Sequence, residues 1–347
     1  ITGEHKSIMH NHPKKVVLSA ANAKLISAKD DYLKYTGRFM DDKQAIAISA
    51  EASFKAHNVL SWLIQSRAKR GGNALIIAFG AQGQVVMDPA LEDTSEIVAQ
   101  EEAADEAVQV SNQTLKNYAD RLNAALSVYT NKDLRAETPV VIMALDNATD
   151  GRLAITYFQQ LLNGEYLERL EAWHKNCCWW MPYKRADGRW AEYLGAPANK
   201  KIVEVVLGRN AADREKKRVA LALVSCIFNG TPLAREFVSN AVRRVSNPLT
   251  FGGSEAMSLR EWGQALPVAC ALYKKQHEKE CLPVSLDKSC TERCYLFGRL
   301  LAVADKIEKT AMQGKESRTT NAMRYMSRFS QHPVSTWELL NNLLLPY

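Results

Sequence analysis

Apolar positions along this chain alternate between a strand period and a helix period, and the switches mark its elements. Residues 14–39 read as strands around a turn, Lys29-Asp30-Asp31 separating the Leu25-Ile26 run from Tyr32-Leu33-Lys34-Tyr35. Over residues 51–67 the period becomes helical, with Ala56, Leu60, Leu63 and Ile64 on one face. Arg70-Gly71-Gly72-Asn73 breaks that helix, and Ala74 to Phe79 is an apolar run of strand length. The acidic segment Glu92 to Glu106 reads as a solvated helix or a mobile linker. Residues 113–129 follow as a second amphipathic helix through Leu115, Tyr118, Leu122 and Ala125.

The stretch from Pro139 to Trp180 holds the densest information. Val140 to Leu145 has the length of a buried strand, and Asp146-Asn147-Ala148-Thr149-Asp150-Gly151 is a turn cluster. Leu153, Ile155 and Tyr157 then alternate with polar or small residues, as on a half-buried strand. A helical pattern through Leu161, Leu162, Leu167 and Leu170 leads to Trp173-His174-Lys175-Asn176-Cys177-Cys178-Trp179-Trp180. Residues 213–246 are helical and basic, and Asn247-Pro248 with Gly252-Gly253 punctuates the chain. Beyond that break the apolar spacing is helical throughout. Leu296, Leu300, Val303 and Ile307 recur at helical intervals and are expected to face other helices. The expected fold class is therefore α+β: a mixed strand and helix body over residues 1–250, then a helical bundle over 251–347.

Composition narrows the class. A chain of 347 residues, 46% hydrophobic and 8% aromatic, has enough apolar material for more than one core. No run is apolar enough for a membrane span, and no signal peptide opens the chain. Seven cysteines without a regular framework read as reduced thiols in a cytoplasmic protein. The chain opens at Ile1 and closes on an apolar helical pattern, so it reads as a piece of something longer.

The net charge of +7 matters less than where it lies. Residues 1–90 carry 12 basic and 7 acidic residues, whereas residues 91–110 carry 7 acidic and none basic. Residues 151–254 carry 16 basic against 9 acidic, and residues 255–347 carry 13 against 10. Basic regions flanking an acidic one suit a long anionic partner that touches several places, although a solvated surface is the commoner meaning of a basic excess. The candidates for phosphate contact are Lys14, Lys15, Lys24, Lys34 and Arg38 in the hairpin-like region, and Lys55 and Asn58 on one face of the following helix. Lys69 and Arg70 at the end of that helix serve equally well as helix capping. Arg243, Arg244, Lys274, Lys275, Arg318, Arg324 and Arg328 complete the set.

Catalytic and metal chemistry find little purchase. Met9-His10-Asn11-His12 is a short polar segment, and adjacent residues on extended chain point to opposite faces, so a loop is the expectation. Asp146 to Gly151 opens like a calcium loop, but Ala148 cannot ligate and Tyr157 stands where a bidentate Glu is needed. Cys290 and Cys294 form one loose pair, short of the two tight units of structural zinc, and Cys177 and Cys178 beside two tryptophans read as core. Gly80-Ala81-Gln82-Gly83 lacks the Lys-Ser/Thr of a phosphate-cradling loop. No cofactor, no metal and no enzymatic activity are expected.

The order of elements from Pro139 to Trp180 resembles the large subunit of the bacterial type I-C CRISPR surveillance complex, Cascade. Ala23 to Ser27 with Tyr35 to Phe39, Glu51 to Ile64, and Glu292 to Val303 extend the resemblance in the same order over nearly the whole chain. The resemblance implies a non-catalytic subunit of a crRNA-guided antiviral complex. Such a subunit contacts the motif-proximal duplex and the displaced strand of target DNA while crRNA pairing reads the sequence. It further implies crRNA, the backbone, crRNA-end and small subunits and a recruited helicase-nuclease as partners, with the C-terminal helices beside the small subunits. The family protein is longer, mostly on the N-terminal side, and its small subunit can be made from within the large-subunit gene, which raises Met257 as a candidate internal start. Two other readings stay open from the residues themselves: a metal-dependent nuclease, and a helical scaffold that binds only protein.

Overall fold

The computed structural model describes residues 3–9, 11–17, 20–27, 47–71, 74–86, 135–149, 151–184, 189–251, 255–280, 282–312 and 319–347. The fold is α+β. In chain order the elements are α1 (Ala50–Arg67), β1 (Lys69–Gly71), β2 (Ala74–Gly80), β3 (Pro139–Thr149) and β4 (Arg152–Leu162). There follow α2 (Asn163–Asn176), β5 (Trp179–Lys184), β6 (Trp190–Gly195), α3 (Asn199–Leu207), α4 (Asp213–Phe228) and α5 (Arg235–Val245). The remainder is α6 (Glu255–Gln276), α7 (Arg293–Met312), α8 (Asn321–Arg324), α9 (Met326–Gln331) and α10 (Pro333–Leu344). The acidic segment and the helix expected over 113–129 lie outside the described residues.

The described residues divide into two compact units, one drawn from residues 1–88, 135–167 and 212–221, the other from 168–211 and 222–347. In the first, β1-β2-β3-β4 form one antiparallel sheet in that order. Leu75 and Ile77 of β2, Leu145 of β3 and Leu153 of β4 bury one face against Leu60 and Leu63 of α1 and against Val16, Val17, Ala20 and Ala23. Those last four do not alternate as strand residues would. Ala20 N donates to Val17 O and Ala23 N to Ala20 O, so the segment turns on itself and plugs the core where strands were expected. Lys24 then reaches the sheet, through a bridge to Arg152.

Two boundaries move from the sequence expectation. β3 runs on through Asp146 to Thr149, into the stretch expected as a turn cluster, and β4 begins at Arg152. Leu161 and Leu162 end β4, because β3 still pairs with them at Val140 and Pro139; the helix begins only at Asn163. A register shift between Ala144 and Leu145 leaves Thr156 as an extra residue in β4. Bulges of this kind re-aim side chains, and Ile155, expected inside, is 46% exposed.

The second unit is built on α6. It packs against α5, α3 and β5, burying Val268, Ala269, Ala271 and Leu272 among Phe237, Val238, Ala241, Ile202 and Val206. Trp262 Nε1 donates to Val245 O at 2.7 Å and joins α6 to the end of α5. β5 and β6 pair as an antiparallel hairpin from Trp179↔Gly195 to Lys184↔Trp190. Helices α8 and α10 pack on α7. The expected apolar stripe of α7 is displaced here: Leu296, Val303 and Ile307 are exposed, and the buried positions are Ala304 and Glu308, one residue further round.

Candidate nucleic-acid interface

Sixteen residues stand as candidates for phosphate contact, and the structure separates them by what each side chain already holds. Lys34, Arg38 and Arg318 lie outside the described residues, and so do the side chains of Lys69 and Arg70. The backbone of Lys69 and Arg70 is nonetheless described. It forms β1, paired with Ile76 and Leu75, and does not close α1. Arg67 takes the closing position instead, its guanidinium donating to Gln84 O at 2.7 Å and Gly83 O at 2.8 Å. The glycine-containing turn after β2 is thus gripped through its carbonyls, the opposite polarity to a phosphate cradle.

In the first unit Lys14 and Lys15 are exposed and make no ion pair with another described residue. Lys15 holds a left-handed backbone, φ 64°, which turns the chain just before Val16 and Val17 enter the core. Lys24 donates to Asn11 Oδ1, a local tie between two surface segments. Lys55 pairs with Glu51 at 2.6 Å, and Glu51 also takes Lys6, so the two ammonium groups hold its carboxyl at about 2. Lys55 and Asn58 do share the outer face of α1, as expected, while Ser53, His57, Leu60 and Leu63 face inward. Ala56, placed on the buried face by its spacing, is exposed.

That outer face also carries Phe54, Val59 and Trp62, about half exposed, which the sequence reading passed over. Trp62 stands one turn beyond Asn58 and two beyond Lys55, with the Arg67 guanidinium 5.1 Å from its ring centroid. A cation and an accessible ring in line are the parts of a base-stacking platform. The available signal was three large apolar residues falling off the buried phase of the helix.

His12, expected as a loop residue, is buried. Its Nδ1 is 2.8 Å from Ser53 Oγ, and its ring stacks on His57 with centroids 6.2 Å apart. His57 Nδ1 lies 2.7 Å from the Ser53 carbonyl, so it must carry the proton and donate. Both Nε2 atoms are buried without a partner among the described residues. Burial, with His57 and Lys24 nearby, lowers the pKa of His12. The cluster ties the N-terminal segment to α1 and lies away from solvent. His10 lies outside the described residues, and among those residues no group of three potential metal ligands occurs.

The second unit sorts its cations more sharply. Lys274 is a buried residue whose ammonium donates to Lys175 O at 2.9 Å and contacts Cys178 Sγ at 3.4 Å, which positions it for the core. Lys275 pairs with Glu278. Cys177, Cys178 and Cys226 are buried thiols, and burial raises all three. Arg243 is exposed and donates to Asn240 Oδ1. Arg324 and Arg328 are exposed on α8 and α9. Arg244 is half-buried, over the Phe251 ring at 5.6 Å and against Gly208. Of the helical basic cluster, Lys217 bonds Asp146 of β3, which neutralises both in the first unit.

No helix among the described residues is long and apolar enough to cross a membrane. No curated protein matches the chain. The model of the family described as CRISPR-associated protein (Cas_Csd1), by contrast, matches residues 1–347, and the chain belongs to that family.

Proposed function

We propose that this chain is a non-catalytic large subunit of a type I-C crRNA-guided surveillance complex, acting in the bacterial cytoplasm. The family match over residues 1–347 is the observation that carries the reading. In it the chain contacts the motif-proximal duplex and displaced strand of target DNA, and docks the helicase-nuclease once target is bound. Guide pairing reads the sequence, so the protein's share is phosphate and stacking contact. Exposed Lys14, Lys15 and the Lys55–Asn58–Trp62 face support this in the first unit. Arg243, Arg244, Arg324 and Arg328 support it in the second. Lys274, whose ammonium is engaged in the core, leaves the set. The helices of 251–347 pack beside the small subunits through the exposed Leu296, Val303 and Ile307 of α7. Met257, in the first turn of α6, remains the candidate internal start.

The test is salt-dependent binding of target DNA by the assembled complex. Neutralised phosphates release counterions, so affinity falls steeply with salt. Replacing Lys14, Lys15 and Arg38 together by Ala is expected to weaken binding and to flatten the salt slope by roughly one unit per lost phosphate contact. An unchanged affinity and slope removes these residues from the interface. In the same preparations magnesium, manganese or zinc is expected to leave DNA and RNA intact. Metal-dependent cutting that survives repurification and disappears on mutating His10 or His12 replaces this reading with a nuclease.

A further inference from the structure

Arg244 stands in the last turn of α5, and its guanidinium lies beside Gly208, the residue that caps α3. A Cβ at Gly208 would fall 3.0 Å from Nη1 and 3.1 Å from Nη2, and φ there is +90°. Glycine alone combines that backbone with that approach. The Phe251 ring, 5.6 Å from the guanidinium carbon, stacks on the group.

The charges around it are unevenly matched. Arg209 pairs with Glu261 at 2.8 Å and Lys201 with Glu204 at 3.9 Å. No carboxylate among the described residues pairs with Arg244, and its Nε is buried without a hydrogen-bond partner. The end of α3 offers a partial negative charge, but no hydrogen bond from the Arg244 side chain to its carbonyls is present among the described residues. Burial first, and Arg243 second, disfavour the charged form of Arg244. The group lines a cleft of about 510 Å³ with Asn210, Thr250 and the paired Lys201, Glu204, Arg209 and Glu261, within the ~300–1,000 Å³ typical of ligand sites. A half-buried guanidinium, held by a ring and a glycine and paired with no carboxylate among the described residues, is one anion short of balance. Its planar fork matches a tetrahedral oxyanion in two bonds.

We infer that the cleft around Arg244 is an anion site that takes a phosphate group, Arg244 supplying the fork while the ion pairs of Lys201 and Arg209 leave the two carboxylates of the cleft neutralised. The phosphate belongs either to a nucleic-acid backbone or to a free phosphate compound. The site itself does not depend on the proposed role in target binding.

The experiment titrates the full chain, in phosphate- and sulfate-free buffer, with pyrophosphate and separately with a short oligodeoxythymidine at one salt concentration. Arg244→Gln removes the fork. Asn210→Asp sets a carboxylate on the exposed wall of the cleft and keeps the fold testable, since its unliganded melting temperature should match the parent's. Lys279→Gln is the control, the same charge change on an exposed turn. Pyrophosphate affinity is expected to fall by about tenfold or more in the first two variants and to hold in the control. A parallel fall for the oligonucleotide assigns the site to a nucleic-acid backbone. A fall for pyrophosphate alone assigns it to a free phosphate compound and takes Arg244 out of the target-binding interface. Equal pyrophosphate affinities in the parent, Arg244→Gln and Asn210→Asp overturn the inference.

Discussion

At the scale of single residues, burial decides what a polar group can do. His12 and His57 share Ser53 in a buried cluster, and no carboxylate among the described residues pairs with either ring. The pKa of His12 is lowered from 6.5, so between that value and the lower folded one the unfolded chain binds more protons than the native state. Stability from His12 is therefore fully present above about pH 6.5 and is lost as pH falls through the folded pKa. Melting temperature measured from pH 8 down to pH 5 should drop over the lower half of that range, and His12→Asn should flatten the drop. A variant with the parent's pH profile would show that His12 takes up its proton equally in the folded and the unfolded chain. Sequence reading could place His12 on a polar segment; its burial comes from Ser53 and His57, 41 and 45 residues away in the chain.

At the scale of elements, α7 shows how close a pattern can come while naming the wrong face. Leu296, Leu300, Val303 and Ile307 form one apolar row; Phe297, Leu301, Ala304 and Glu308 form the next, about 100° round the helix. By apolarity the first row should be inside. The structure buries Glu308 instead, because its carboxylate accepts Asn321 N at 2.6 Å and Asn321 Nδ2 at 3.2 Å, holding the start of α8. Phe297 meets Phe329 edge-on at 5.9 Å on the same side. The outer row is left as an apolar stripe of the kind that marks an interaction surface. Replacing Leu296, Val303 and Ile307 together by Ser should leave the melting temperature of the isolated protein nearly unchanged, within about 0.5 kcal/mol per surface site. Under the proposed packing beside small subunits, it should abolish their retention on the purified complex. Loss of fold in that variant would place the stripe in a core; full retention would free it from the interface.

At the scale of the whole molecule, the boundary expected after residue 250 carries over as a proposal and needs its own test. α6 buries Val268, Ala271 and Leu272, and the elements packed on it include α5, which precedes the boundary. Each fully buried aliphatic side chain is worth about 1.5–3 kcal/mol, so losing one packed helix matters for a region this size. Two fragments separate the possibilities: residues 257–347, and residues 234–347 with α5 included. Both should be helical by circular dichroism, and the longer should melt at higher temperature and more cooperatively. A disordered or strand-rich shorter fragment removes the boundary as a domain edge, and equal melting of the two shows that the core of 251–347 closes without α5.

Local pattern was enough for the existence and type of α1, β2, β3, β4 and most of the C-terminal helices, since periods of two and of about 3.6 are written in consecutive residues. It was enough also for the α+β class and for the family, whose model matches residues 1–347. Tertiary structure decided the rest, because the deciding partners are distant in sequence. Val16 and Val17 became a core plug because they had a sheet and α1 to fill. Asp146 stayed in a strand, where Lys217, 71 residues on, meets its charge. Lys274 left the candidate interface because Lys175 and Cys178, nearly a hundred residues earlier, receive its ammonium. Arg244 pairs with no carboxylate among the described residues, since Glu204 and Glu261 of its cleft already face Lys201 and Arg209, and such a balance is set by the neighbours the fold brings together.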